Sequence, residues 1–271
     1  MTDIQQWRTH APDLDRLDCD ILLAHALDCN RAEILAHPER TLGPATICQL
    51  DEWHARRRSG EPLAYILQTK EFWGLEFIVN GDVLIPRPDT ELLVEQTLAV
   101  ARADDRLLEL GTGCGAPAIA IAVSASSEDR PMDIVASDIS QAALCVARRN
   151  GKHHAVDVTW MHSDWFSQLH GTFNLILSNP PYVASDDEHL HMLMYEPQLA
   201  LVGGADGLTA IRHIVTTAPN YLASNGWLLL EHGHQQGPAV CELLRAAGYL
   251  HSHSECDLGG HARVSMGRRP L

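Results

Sequence analysis

Residues 106–124 read RLLELGTGCGAPAIAIAVS, and this stretch decides the fold. RLLEL is a short, mostly apolar run, the signature of a strand buried on both faces. Glycines then alternate at Gly111, Gly113 and Gly115. Glycine lets a chain turn sharply and lets a ligand touch the backbone. APAIAIAVS follows as a helix whose first N–H groups lack helical partners and point back at the loop. Strand, glycine loop and helix in this order predict a parallel α/β sheet with a nucleotide or cofactor site at the strand's carboxyl end.

The pattern continues outward towards the C-terminus. MDIVAS (132–137), VDVTW (156–160), FNLILS (173–178) and GWLLLEH (226–232) read as strands. SQAALCVARRN, TAIRHIVTTAPNYLA and QQGPAVCELLRAAG read as helices between them. Such alternation implies a mainly parallel sheet with helices on both faces. GYLHSHSEC and ARVSMGR end the chain as two strands in succession, which must be antiparallel neighbours or separate edges.

Towards the N-terminus the pattern changes. Leu14, Leu17, Ile21 and Leu22 fall at helical spacing, as do Ile47, Leu50 and Trp53, while Pro38 and Gly43-Pro44 break the segment into short helices. LAYIL (63–67) and EFWGLEFIV (71–79) are rich in aromatic and branched residues and read as strands of a hairpin. Asn80-Gly81 is a turn signal. Pro86-Arg87-Pro88 forbids a helix before Asp89, which is placed to cap TELLVEQTLAVA. The domain boundary is expected near residue 80, giving a helical domain over 1–80 and a sheet domain over 81–271.

Composition narrows the class. With 45% hydrophobic and 20% charged residues, the chain reads as an ordinary globular protein. No apolar run reaches the roughly 18 residues of a membrane helix, and the first twenty residues show no secretory signal, so the cytoplasm is the expected compartment. Net charge is −15, with −5 in residues 1–80 and −10 in residues 81–271. That argues against direct nucleic-acid binding, which needs basic surface to displace counterions. The seven cysteines, at 19, 29, 48, 114, 145, 241 and 256, include no CxxC pair and fit reduced thiols. Sixteen histidines lack zinc-site spacing, and no metal is expected.

Candidate site residues follow strand ends. Asp138, at the end of the second strand of the sheet, can accept hydrogen bonds from both hydroxyls of a ribose, a device that several nucleotide-type cofactor sites share. Trp165, after the third, offers a flat apolar face to an adenine ring. The sharpest signal is Asn179-Pro180-Pro181-Tyr182, which ends FNLILS. Two prolines stiffen the backbone there. The Asn179 side-chain oxygen and the Pro180 carbonyl can hold both N–H bonds of a planar NH₂ group, and Tyr182 adds a flat face. An amide or base amino nitrogen is a poor nucleophile because its lone pair is delocalised. A clamp of this kind directs that lone pair at an electrophile, and the pattern points to methyl transfer onto such a nitrogen.

An ordered set now carries a resemblance: EFWGLEFIVNGDVLIPRPDTE, LELGTGCG, SDWF, SNPPY, YEPQLALVGGADGL, LLLEHGHQQG and RVSMGR. It resembles the release-factor glutamine methyltransferases (HemK/PrmC) nearly end to end. NPPY alone is shared with adenine-specific DNA methyltransferases and some ribosomal RNA methyltransferases; IPRPDTE is more specific. The resemblance implies a Rossmann-like seven-stranded class I methyltransferase domain preceded by a small helical domain and a β-hairpin linker. It implies S-adenosylmethionine as cofactor and, as substrate, the glutamine of the Gly-Gly-Gln motif in class 1 peptide chain release factors. By the same resemblance Gly111, Thr112, Gly113, Cys114 and Gly115 cradle the methionine part, Asp138 binds ribose, and Trp165 lies by adenine. Asn179 touches cofactor and glutamine, and Pro180, Pro181 and Tyr182 complete the glutamine pocket. Glu109 is placed to meet the methionine ammonium group, and Arg87 to position the substrate loop. Two residues depart from the family's pattern: Pro117 where a small or aliphatic residue is usual, and Cys114 in place of Ser or Thr. The helical domain is expected to dock the protein substrate, and a monomer is expected. A nucleic-acid amino methyltransferase, a cofactor-binding protein without catalysis and a dehydrogenase are the competing readings.

Overall fold

The computed structural model describes residues 2–271, which divide between Thr69 and Lys70 into two compact units. The first is helical: α1 (Ile4–His10), α2 (Arg16–Ala26), α3 (Arg31–Ala36), α4 (Pro44–Arg58) and α5 (Leu63–Leu67). Side-chain caps from Asp3, Asp15 and Asn30 start the first three, and Pro44 opens the fourth where a missing N–H costs nothing. Their apolar faces close over Ile4, Trp7, Leu22, Leu23, Ile34 and Leu50. Asp20 is buried in this unit and held by Arg8 at 2.5 Å and Arg31 at 3.2 Å.

LAYIL is therefore a helix, not a strand. Pro62 starts it, and Gln68, at φ +60°, ends it in the left-handed region. The expected hairpin forms instead between β1 (Thr69–Phe72), which starts two residues before the next run, and β2 (Leu75–Ile78), around Trp73-Gly74. The division between units falls at the start of this hairpin, earlier than the expected boundary near residue 80. Asn150 fastens β2 into the second unit, accepting from the Ile78 N–H at 2.8 Å and donating to the Ile78 carbonyl at 3.0 Å.

The second unit continues with a 3-10 turn (Pro88–Thr90), α6 (Glu91–Val100), β3 (Arg106–Leu110), α7 (Ala116–Ser127), β4 (Asp133–Asp138), α8 (Gln141–His153), β5 (Thr159–His162) and β6 (Phe173–Ser178). It ends with α9 (Gln198–Leu201), α10 (Thr209–Thr217), β7 (Leu222–Glu231), α11 (Gly237–Ala246), β8 (Leu250–Cys256) and β9 (Ala262–Arg268). Asp89 caps no helix: it lies in the 3-10 turn and pairs with Arg263 at 2.9 Å.

The strands form one seven-stranded sheet in the order β5-β4-β3-β6-β7-β9-β8. Pairing is parallel from β5 to β7, and the last two strands run antiparallel. Strand order reverses between β3 and β6, so their carboxyl ends open a crevice that no crossover covers. Ile211, Ile214 and Val215 of α10 and Val240 and Leu244 of α11 join Leu108, Ile176 and Leu228 in the core. Among the described residues no helix is long and apolar enough to cross a membrane.

Candidate active site

The crevice is a cavity of about 590 Å³ at the carboxyl ends of β3, β4 and β6. The glycine loop forms its floor. The Thr112 N–H donates to the Ser137 carbonyl at 2.9 Å, and the Gly113 N–H donates to Asp138 Oδ2 at 2.8 Å. Gly115 stands at φ +86°, where a Cβ would lie 2.9 Å from the Trp160 ring, so both conformation and space demand glycine. Gly111, Thr112, Gly113 and Cys114 line the cavity; Gly115 does not, because it faces Trp160.

Glu109, the last residue but one of β3, is buried at the cavity wall. Its Oε2 accepts from the Thr112 hydroxyl at 2.6 Å and from the Ala118 N–H at 3.2 Å. Burial pushes its pKa up to about 8; those two donors oppose the shift and the nearby Asp138 charge adds to it. The start of α7 therefore spends a free N–H on Glu109. Pro117, in the first turn of the helix, removes a donor but breaks no hydrogen bond of the helix. Cys114 keeps its thiol protonated, pushed up to about 12 by burial, and its carbonyl accepts from Asn150 at 2.9 Å.

Asp138 lines the cavity with Ile139 beside it. Burial raises its carboxyl above the ordinary range, against the Ser140 and Gly113 N–H groups. Each carboxylate oxygen accepts one of those bonds and retains a lone pair for a ligand. Trp165 lines the next wall at φ +47°, with its ring 6.2 Å from that of His213 on α10. Ile139, an exposed apolar residue that the sequence reading passed over, extends this apolar region.

At the end of β6, Asn179 and Pro181 line the cavity, whereas Pro180 and Tyr182 do not. Pro180 is buried behind the turn. The Tyr182 hydroxyl instead donates to Glu231 Oε1 at 3.2 Å, and burial holds that phenol well above its usual range. The expected flat face towards a ligand is thus turned into the protein. Asn179 Nδ2 donates to Thr90 Oγ1 at 3.1 Å, which leaves its Oδ1 to accept elsewhere.

The loop after α9 holds this turn in place. The Val183 N–H donates to the Leu201 carbonyl, the Gly203 N–H to the Val183 carbonyl, both at 2.9 Å, and Gln236 Nε2 to the Tyr182 carbonyl at 3.1 Å. Gly207, at φ +71°, packs on the Tyr182 carbonyl, where a Cβ would collide. Glu196 pairs with Arg87 and accepts from the Ile85 N–H at 3.1 Å, so Arg87 braces the 195–200 segment at the cavity rim. Thr90, Glu196 and Glu231 were not singled out as site residues from sequence. One signal was available: an acidic residue in the last two positions of an apolar strand, in LLLE as in LLEL.

Residues 5–67 match the model described as the PrmC N-terminal domain, and residues 88–246 match the methyltransferase small domain. A protein of Coxiella burnetii named release factor glutamine methyltransferase is 43% identical over 98% of this chain and 96% of its own length. A protein of the same name from Pseudomonas aeruginosa is 46% identical over 93% of this chain and 92% of its own. The crystal structure of a methyltransferase from Pyrococcus furiosus superposes with a TM-score of 0.55 at 18% identity, covering 82% of this chain and all of that one, a likeness of fold.

Proposed function

The chain belongs to the release factor glutamine methyltransferase family, and from that premise we propose that it transfers the methyl group of S-adenosylmethionine to the side-chain amide nitrogen of the glutamine in the Gly-Gly-Gln motif of class 1 peptide chain release factors. The observation that carries this reading is the placement of Asn179. Its NH₂ is tied back to Thr90 while the residue lines the cavity, so its oxygen is left for an incoming N–H.

The residues present fit this cofactor. Glu109 offers a buried carboxylate to an α-ammonium group, Asp138 offers two acceptors to ribose hydroxyls, and Trp165 with Ile139 offers apolar surface to an adenine ring. Bound there, S-adenosylmethionine supplies a methyl group on a positively charged sulfur. Asn179 Oδ1 then accepts from an N–H of the glutamine amide. That hold turns the nitrogen lone pair towards the methyl carbon. Orientation of this kind contributes roughly 7–11 kcal/mol towards a barrier. The same oxygen would stabilise the positive charge that develops on that nitrogen as it takes up the methyl group. The proton leaves to water afterwards, so no ionised general base is needed. Tyr182 acts from behind, through Glu231, by keeping the turn rigid.

We place the reaction in the cytoplasm and propose a monomer whose N-terminal unit docks the release factor. The test of the clamp is single-turnover methylation by Asn179→Ala. The rate is expected to fall about 10²–10³-fold, the scale of losing one aimed hydrogen-bonding group, with cofactor affinity within threefold. A rate within tenfold of the wild type would overturn the role given to Asn179.

A further inference from the structure

Glu231 ends β7 as a buried carboxylate with no solvent to share its charge. Its Oε1 accepts from Tyr182, and the Thr90 hydroxyl faces the carboxylate as a donor, while Oε2 lies outside ordinary hydrogen-bond geometry from any described group. Thr90 is itself buried, and its oxygen already accepts from Asn179 Nδ2 at 3.1 Å. Asn179, Thr90 and Glu231 thus stand in series from the cavity wall to a buried carboxylate, the first link a hydrogen bond and the second a looser polar contact.

We propose that Thr90 and Glu231 are positioning residues that decide which way round the Asn179 amide stands, so that its oxygen and not its NH₂ faces the cavity. An ionised carboxylate only accepts hydrogen bonds. The Thr90 hydrogen must then point at Glu231, the Thr90 oxygen is left as an acceptor, and only the NH₂ end of Asn179 can meet it. A neutral partner in place of Glu231 could donate to Thr90. The Thr90 hydrogen would then be free to point at Asn179, and the amide could turn over and present two N–H groups to a substrate NH₂, which repels it. This assignment deepens the function proposed above and rests on it for its kinetic arm only.

The anion is balanced near neutrality. Burial and the charge of Asp89 raise its pKa to about 7, against the Thr90 and Tyr182 hydroxyls and Arg263 of β9. The neighbouring His232 turns away, pairing with Ser265 at 2.8 Å, and burial lowers the pKa of its imidazole. Below about pH 7 the protonated carboxyl can donate, and the direction of the series is lost.

The experiment uses the full chain in two arms. At saturating cofactor, Thr90→Val and Glu231→Gln are expected to lower kcat on a release factor about 10- to 100-fold, the cost of misplacing a group at a reacting centre, with cofactor KM within threefold. Thr90→Ser is expected to recover most of what Thr90→Val loses. The acid limb of wild-type kcat near pH 7 should vanish in Glu231→Gln. Independently of any substrate, the Asn179 side-chain amide NMR signals, identified by their loss in Asn179→Ala, should titrate near pH 7 in the wild type and not in Glu231→Gln or Thr90→Val. Signals that stay fixed between pH 6 and 8.5 in the wild type would overturn the assignment. So would a Thr90→Val variant whose kcat stays within twofold, or whose cofactor affinity collapses along with kcat. Titrating signals without methylation of any release factor would support this assignment and remove the proposed reaction instead.

Discussion

The Gly113 N–H donates to Asp138 Oδ2 at 2.8 Å, tying the glycine loop after β3 to the end of β4. One carboxylate therefore shapes the loop and, in the proposed complex, holds the ribose. Asp138→Ala is expected to lose both roles. Two hydrogen bonds to a charged group are worth roughly 3–6 kcal/mol, so affinity for S-adenosylmethionine should fall at least about 100-fold by titration calorimetry. A change of less than threefold would show that this carboxylate does not touch the cofactor.

Glu109 makes cofactor binding depend on pH. Its pKa in the free protein is about 8, so at neutral pH it is mostly protonated. An ammonium group beside it requires the anion. Affinity should rise with pH towards about 8, at most tenfold per pH unit, with about one proton released per cofactor bound at pH 7. Glu109→Gln should abolish that proton release when binding heats are compared in buffers of different ionisation enthalpy.

The same residue should act oppositely on stability. The folded pKa lies above the ordinary 4.5, so between these values the unfolded chain binds fewer protons than the folded one. Stability is therefore full below pH 4.5 as far as this group is concerned and is lost as pH rises towards 8. Glu109→Gln should raise the melting temperature of the ligand-free protein at pH 8 relative to the wild type. A lower melting temperature at that pH would contradict the burial penalty.

Gly207 supports the Asn-Pro-Pro-Tyr turn from outside the cavity. At φ +71° and packed on the Tyr182 carbonyl, it has no room for a methyl group. Gly207→Ala should cost at least about 2 kcal/mol, or roughly 4–8 °C in melting temperature. It should also lower kcat more than it weakens cofactor binding. A stable variant with full kcat would show that the turn does not need this loop.

What could be read from the chain followed how local its cause was. RLLEL and FNLILS became β3 and β6 because continuous apolar runs beside glycine or proline punctuation leave little other choice. LAYIL did not, because five apolar residues suit a buried helix as well as a strand, and Pro62 and Gln68 decided it. The glycine loop, Asp138, Trp165 and Asn179 were legible as cavity residues because each ends or follows a strand of the sheet. Tyr182 was misjudged as a ligand face because its partner, Glu231, lies 49 residues away. Asp89 was misjudged as a cap because Arg263 on β9 claims it. Long-range polar partners of this kind leave no periodic trace in a sequence.

The central claim is the identity of the methyl acceptor. The most direct measurement offers purified protein and labelled S-adenosylmethionine three acceptors: an unmodified class 1 release factor, its variant with alanine for the glutamine of Gly-Gly-Gln, and a mixture of duplex DNA and ribosomal RNA. Label on the unmodified factor alone, lost with the glutamine, is the predicted result. Label on nucleic acid, or on the alanine variant to the same extent as on the native factor, would contradict it.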